Sequence, residues 1–172
     1  MRLHKINNKI YHILVKSQHD LVLTFLRFQE YYESPKFKGK IFTLDQFRKW
    51  YINSSNKSKK TNNLYYKDWD SFNIPSHVLK LFYKGKFDPL NEKEKELLDL
   101  LKNVKEKKFC ILGTYKKGNK KDLKHEIAHG LFYTNSRYKR KVIKILKKLD
   151  KQVQNKIINL LLKIEGYSKK VL

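Results

Sequence analysis

The sequence predicts an α+β fold, a small mixed sheet followed by a C-terminal group of helices. Residues 9–16 (KIYHILVK) and 108–115 (KFCILGTY) are short runs dense in β-branched, aromatic and other apolar residues, the composition of half-buried strands. Between and after them, apolar residues recur at helical spacing. From residue 122 to about 164 the chain reads as three successive helices.

The elements follow in order. After the first strand, residues 19–33 carry apolar side chains at 21, 22, 25, 26, 28, 31 and 32, one face of an amphipathic helix. Ser34-Pro35 and Gly39 punctuate the chain. Thr43 and Gln46 form a capping-box pattern that opens a short helix through Trp50 and Tyr51. Residues 53–63 (NSSNKSKKTNN) contain no apolar residue and are expected to form a mobile loop. Residues 64–87 are aromatic-rich, with a short helix expected over 75–83. Asn91 and Glu94 repeat the capping box before a helix to about Val104. The strand over 108–115 and a polar turn at Gly118-Asn119 come next. Asp122 is placed to cap a helix running to about Thr134, Asn135-Ser136 opens another to Leu149, and a third spans 153–164 with Gly166 at its end.

At 172 residues the chain suits one domain better than two, so residues 1–172 are read as a single domain. An apolar fraction of 40% and an aromatic fraction of 13% can build a core and argue against a disordered chain. Forty Lys plus Arg against sixteen Asp plus Glu give a formal charge of +24, which favours acidic or nucleic-acid partners. The competing reading is compositional: richness in Lys, Asn, Ile and Tyr is what AT-rich coding produces, and the basic residues are spread over nearly every segment. That reading carries more weight. Cys110 is the single cysteine, which rules out an internal disulfide and a cysteine-based metal site. No signal peptide and no spanning segment is read in the sequence, so the expectation is a cytoplasmic protein without a membrane partner.

Chemistry concentrates at His125-Glu126-Ile127-Ala128-His129, an HExxH motif. On a helix, residues four apart stand on one face, so His125 and His129 can hold one Zn²⁺. Glu126 is then placed as general base toward the water that zinc activates, and can return the proton to a leaving amine. A chance HExxH arises in roughly one chain of this composition in a hundred, so context decides. Here the motif lies in a helical segment with a buried side of Ile127, Ala128, Leu131 and Phe132, directly after a strand. The other histidines, His4, His12, His19 and His77, lie at no metal-ligand spacing.

This arrangement resembles the zincin metallopeptidases, in which an HExxH helix lies beneath a mixed sheet. The resemblance covers about residues 108–165 and implies a zinc-dependent peptidase acting on a peptide or protein substrate. It also implies an edge strand that binds the substrate backbone by β-addition. Residues 109–115 are a candidate for that strand, although they could equally be central. The extended metzincin motif is absent, with Phe132 in place of its glycine and Asn135 in place of its third histidine, so the resemblance is gluzincin-like. That group takes a third ligand from an acidic residue on a later helix. Asp150 and Glu165 are the acidic residues after Glu126; otherwise the ligand lies outside this chain. Two rival functions stay open. One is a basic nucleic-acid-binding or interaction protein that keeps an inactive zincin-like helix, and the other is a metal-dependent hydrolase of a non-peptide substrate.

Overall fold

The computed structural model describes residues 1–54, 65–117 and 120–164. It divides into two compact units, Met1–Thr134 and Asn135–Leu172. In the first, β1 (Arg2–Asn7) and β2 (Ile10–Val15) form an antiparallel hairpin. Strand β2 runs parallel to β4 (Cys110–Tyr115), with Ile10 opposite Cys110 and Val15 opposite Tyr115. Strand β3 (Ser71–Pro75) lies antiparallel on the far side of β4. The order is β1-β2-β4-β3, a mixed sheet as the sequence leads one to expect. The strand over 108–115 is therefore central, and β3 is the sheet's edge on that side.

One face of the sheet carries most of the core. Helix α1 (Gln18–Glu33) starts at Ser17, whose hydroxyl accepts from the Asp20 amide at 3.1 Å. It buries Leu21, Val22, Phe25, Leu26 and Phe28. Phe25 lies against β4 at Gly113, where a Cβ would stand 2.7 Å from one carbon of the ring, so only glycine leaves room. Helix α2 (Leu44–Ser54) opens with the expected reciprocal cap, Thr43 N–H to Gln46 Oε1 at 2.8 Å and Gln46 N–H to Thr43 Oγ1 at 3.2 Å. Because α2 continues through Ser54, Asn53 and Ser54 belong to it rather than to the expected loop; residues 55–63 lie outside the described residues. A 3₁₀ turn at Ser76–Val78 leads into α3 (Leu79–Tyr83), where Phe82 stacks between Phe28 at 3.8 Å and Phe87 at 4.0 Å, centroid to centroid. Helix α4 (Glu92–Leu101) begins with the second capping box and ends three residues earlier than its periodicity suggests, at the Val104 N–H to Leu101 C=O turn. Arg27 of α1 spans to Glu94 of α4 with two guanidinium hydrogen bonds, one of 2.6 Å from Nε, and both side chains are buried.

The opposite face of the sheet presents Ile10, Cys110 and Leu112 to α5 (Lys120–Thr134). Coverage on both faces explains why Cys110–Thr114 are all buried. Helix α5 begins two residues before Asp122, since Lys120 and Lys121 are good helix formers and the helix needs no cap at 122 to start. The Gly118-Asn119 turn lies outside the described residues.

The second unit contains α6 (Ser136–Lys148), capped by Asn135 Oδ1 on the Tyr138 amide at 3.0 Å, and α7 (Lys151–Ile164). Asp150 Oδ1 accepts from the Val153 amide at 2.8 Å and so caps α7. Glu165 and Gly166 lie outside the described residues.

Candidate metal centre

Helix α5 is oriented by three half-buried side chains one turn apart, Leu123, Ile127 and Leu131, which pack on Ile10, Cys110 and Leu112. Gly130 lets the helix sit close to the sheet: a Cβ there would meet Ile10 Cδ1 at 3.2 Å and Cys110 Cβ at 3.6 Å. With that face committed to the sheet, His125 and His129 are exposed on another, and Glu126 between the two faces is buried.

The histidines converge. His125 Nε2 and His129 Nε2 stand 3.0 Å apart, with ring centroids separated by 4.6 Å and planes at 73°. Two Zn–N bonds of about 2.0–2.1 Å at a tetrahedral angle require nitrogens about 3.3 Å apart, close to this spacing. The pair therefore fits two positions of a tetrahedral zinc site by donor chemistry and by bite distance. Among the described residues no group of three His, Cys, Asp or Glu side chains is gathered to hold a metal. Asp150 is exposed and engaged as the α7 cap, and Glu165 lies outside the described residues.

Glu126 faces the edge strand. Its Oε1 accepts a 2.7 Å hydrogen bond from Ser71 Oγ, the first residue of β3. Its charge reaches two other groups. Burial pushes the Cys110 thiol up to about 12, with the Glu126 carboxylate adding to the effect, so this cysteine stays protonated and donates to Asn73 Oδ1 at 3.3 Å. Burial also holds the Glu33 carboxyl above the usual carboxylate range; the Gln29 hydrogen bond opposes this and the neighbouring Glu126 charge reinforces it. The motif helix thus brings together His125, His129 and Glu126, as its spacing predicts, and adds Ser71 and Glu33, which sequence reasoning did not find. Ser71 was missed because residues 71–75 form a five-residue strand inside an aromatic-rich stretch. The alternation of buried Phe72 and Ile74 with half-buried Ser71 and Asn73 was its one signal. His4 and His12 pair across β1 and β2 at 5.9 Å, and His12 is hydrogen-bonded to Thr114 Oγ1 at 2.8 Å.

Comparison of the chain with protein-family models, with curated proteins and with solved structures gives no significant match. The functional reading accordingly rests on the motif and its geometry.

Proposed function

We propose that this protein is a cytoplasmic zinc-dependent metallopeptidase in which His125 and His129 are metal ligands and Glu126 is the general base. The observation that carries the reading is the 3.0 Å approach of the two imidazole nitrogens on one helix, where the residue that follows the first histidine is a buried glutamate. Zinc held by the pair supplies Lewis acidity that makes water nucleophilic near neutral pH. Ser71 fixes Oε1 of Glu126 and leaves Oε2 to take the proton of the attacking water and return it to the leaving amine. An extended peptide can add to the sheet edge at β3, whose first residue is Ser71. In this reading β3 takes the substrate-binding place that residues 109–115 were candidates for.

The test is zinc content of the purified full chain in metal-replete buffer, followed by hydrolysis of unfolded protein substrates. Wild type is expected to retain zinc near one equivalent, and His129→Ala to lose metal and activity together. A wild-type chain without zinc would end the proposal before any substrate is tried. The second reading, a basic nucleic-acid-binding protein with an inactive motif helix, is favoured by the +24 charge. It expects duplex affinity that falls steeply with salt and is indifferent to Glu126→Gln.

A further inference from the structure

The basic residues of this chain are not evenly matched along its length. Residues 1–134 carry 28 Lys or Arg against 14 Asp or Glu, whereas residues 135–172 carry 12 against two, Asp150 and Glu165. A coding bias toward lysine explains an excess of basic residues; it does not explain why acidic residues are scarcer in the second stretch than in the first. The same stretch is unusual in its apolar surface. Of the ten large hydrophobic side chains exposed among the described residues, six lie here: Ile145 and Leu146 on α6, and Val153, Ile157, Ile158 and Leu160 on α7. Helix α6 buries no residue at all.

On α6, Tyr138, Val142, Ile145, Leu146 and Leu149 share one side, while Arg137, Arg140, Lys141, Lys144, Lys147 and Lys148 occupy the other. A helix with a strongly basic side and an exposed aliphatic side suits an interface in which anions lie beside hydrocarbon. Other occupants fit less well. A second copy would bring the same uncompensated positive charge against itself. A nucleic acid would satisfy the lysines but gain nothing from exposed Ile and Leu, and residues 135–172 hold two aromatic residues, Tyr138 and Tyr167, to stack on bases.

We infer that the α6–α7 unit is a peripheral membrane-binding element that rests on an anionic phospholipid surface, with its lysines among the headgroups and Ile145, Leu146, Ile157 and Leu160 at the acyl boundary. The sequence leads one to expect no membrane partner. That expectation came from the lack of a spanning segment, and among the described residues no helix is long and apolar enough to cross a membrane. A surface contact needs no span. The inference is independent of zinc and of the peptidase reading.

The experiment is co-sedimentation of the full chain with vesicles of phosphatidylcholine alone, or of phosphatidylcholine mixed with phosphatidylserine. Binding is expected to the mixed vesicles and not to the neutral ones, and to weaken as salt rises past the range where the Debye length is about 10 Å. The double variant Ile145→Ser with Leu146→Ser keeps every charge and should lose about ten-fold or more in vesicle affinity. Lys147→Glu with Lys148→Glu should lose at least as much. All four positions are exposed, so melting temperatures near wild type are expected and separate lost binding from lost fold. The inference is overturned if the chain ignores anionic vesicles or binds neutral ones equally well. It is also overturned if the double serine variant binds as wild type does. Vesicle indifference together with salt-sensitive duplex binding assigns the unit to nucleic acid instead.

Discussion

Glu94 and Glu126 are both buried carboxylates on helices, and their surroundings differ in a way that separates structure from chemistry. Glu94 is 1% exposed and fully occupied. One oxygen accepts from Arg27 Nε, and the other from the Arg27 terminal nitrogen and from the Asn91 amide at 2.9 Å. Arg27 is itself completed by the Phe87 carbonyl at 2.9 Å. Glu126 is 8% exposed and, among the described residues, accepts from one hydroxyl, Ser71 Oγ, through Oε1 alone. A carboxylate with both oxygens engaged by its own fold serves to hold helices together. One with an oxygen to spare has an acceptor site that a water or a substrate can use.

The largest expected effect tests that contrast at the motif. Glu126→Gln keeps the side chain's shape and its acceptor for Ser71, so zinc content and melting temperature should stay near wild type. Turnover on a peptide substrate should fall by roughly two to four orders of magnitude. An unchanged turnover would place the activity in another site or a contaminant.

The mirror experiment is Arg27→Ala. It strands Glu94 as an uncompensated buried charge, and chemical denaturation should show a loss of about 3–5 kcal/mol with any zinc stoichiometry intact in the folded fraction. A loss below about 1 kcal/mol would mean that water reaches Glu94 and that the contrast with Glu126 is overdrawn.

Glu30 sharpens the comparison from a third side, since it is a carboxyl with no cationic partner among the described residues. Burial pushes it up to about 7, with a hydrogen bond to Ser34 acting the other way and the charge of Glu33 adding to the rise. The folded state therefore holds this proton more tightly than the unfolded chain. Stability from this group is full at pH 4 and is lost as pH rises through 7. Glu30→Gln should remove that slope, raising stability by about 1–3 kcal/mol at pH 8 and changing little at pH 4. Melting curves across that range are the measurement, and a variant as pH-dependent as wild type would contradict the assignment.

The smallest effect is expected at Ser71. Ser71→Ala removes one hydrogen bond to Glu126 at the sheet edge, with a stability change of about 1 kcal/mol. If Ser71 orients the base, kcat should drop several-fold while KM holds, and Ser71→Thr should restore it. Equal losses in both variants would point to steric disturbance of β3.

Much of this was legible in the sequence, and the reasons for the gaps are physical. Both capping boxes, Thr43 with Gln46 and Asn91 with Glu94, are local devices and formed where their residues stand. Residues 109–115 were legible as a strand because their apolar run is continuous, the pattern of burial on both faces. Strand β1 was not, since all six of its residues are exposed and it carries no alternation to read; the β2 hairpin alone makes it a strand. Strand β3 was hidden by its brevity, and the Ser71 contact with Glu126 spans 55 positions, a distance over which no local pattern speaks. The histidine pair was fully legible, because i and i+4 on a helix is a covalent fact of spacing.

The parallel pairing of β2 with β4 has a consequence for how the site comes into being. Ile10 meets Cys110 across 100 positions of chain, so the hairpin is synthesised well before its central neighbour exists. Helix α5 follows that neighbour at once and packs on the very residues, Ile10, Cys110 and Leu112, that the pairing brings together. Its histidines acquire a fixed platform only when the two ends of this long loop have met. A nascent chain halted before residue 115 should thus present β1 and β2 with an open strand edge, to which a chaperone or a neighbouring chain can add.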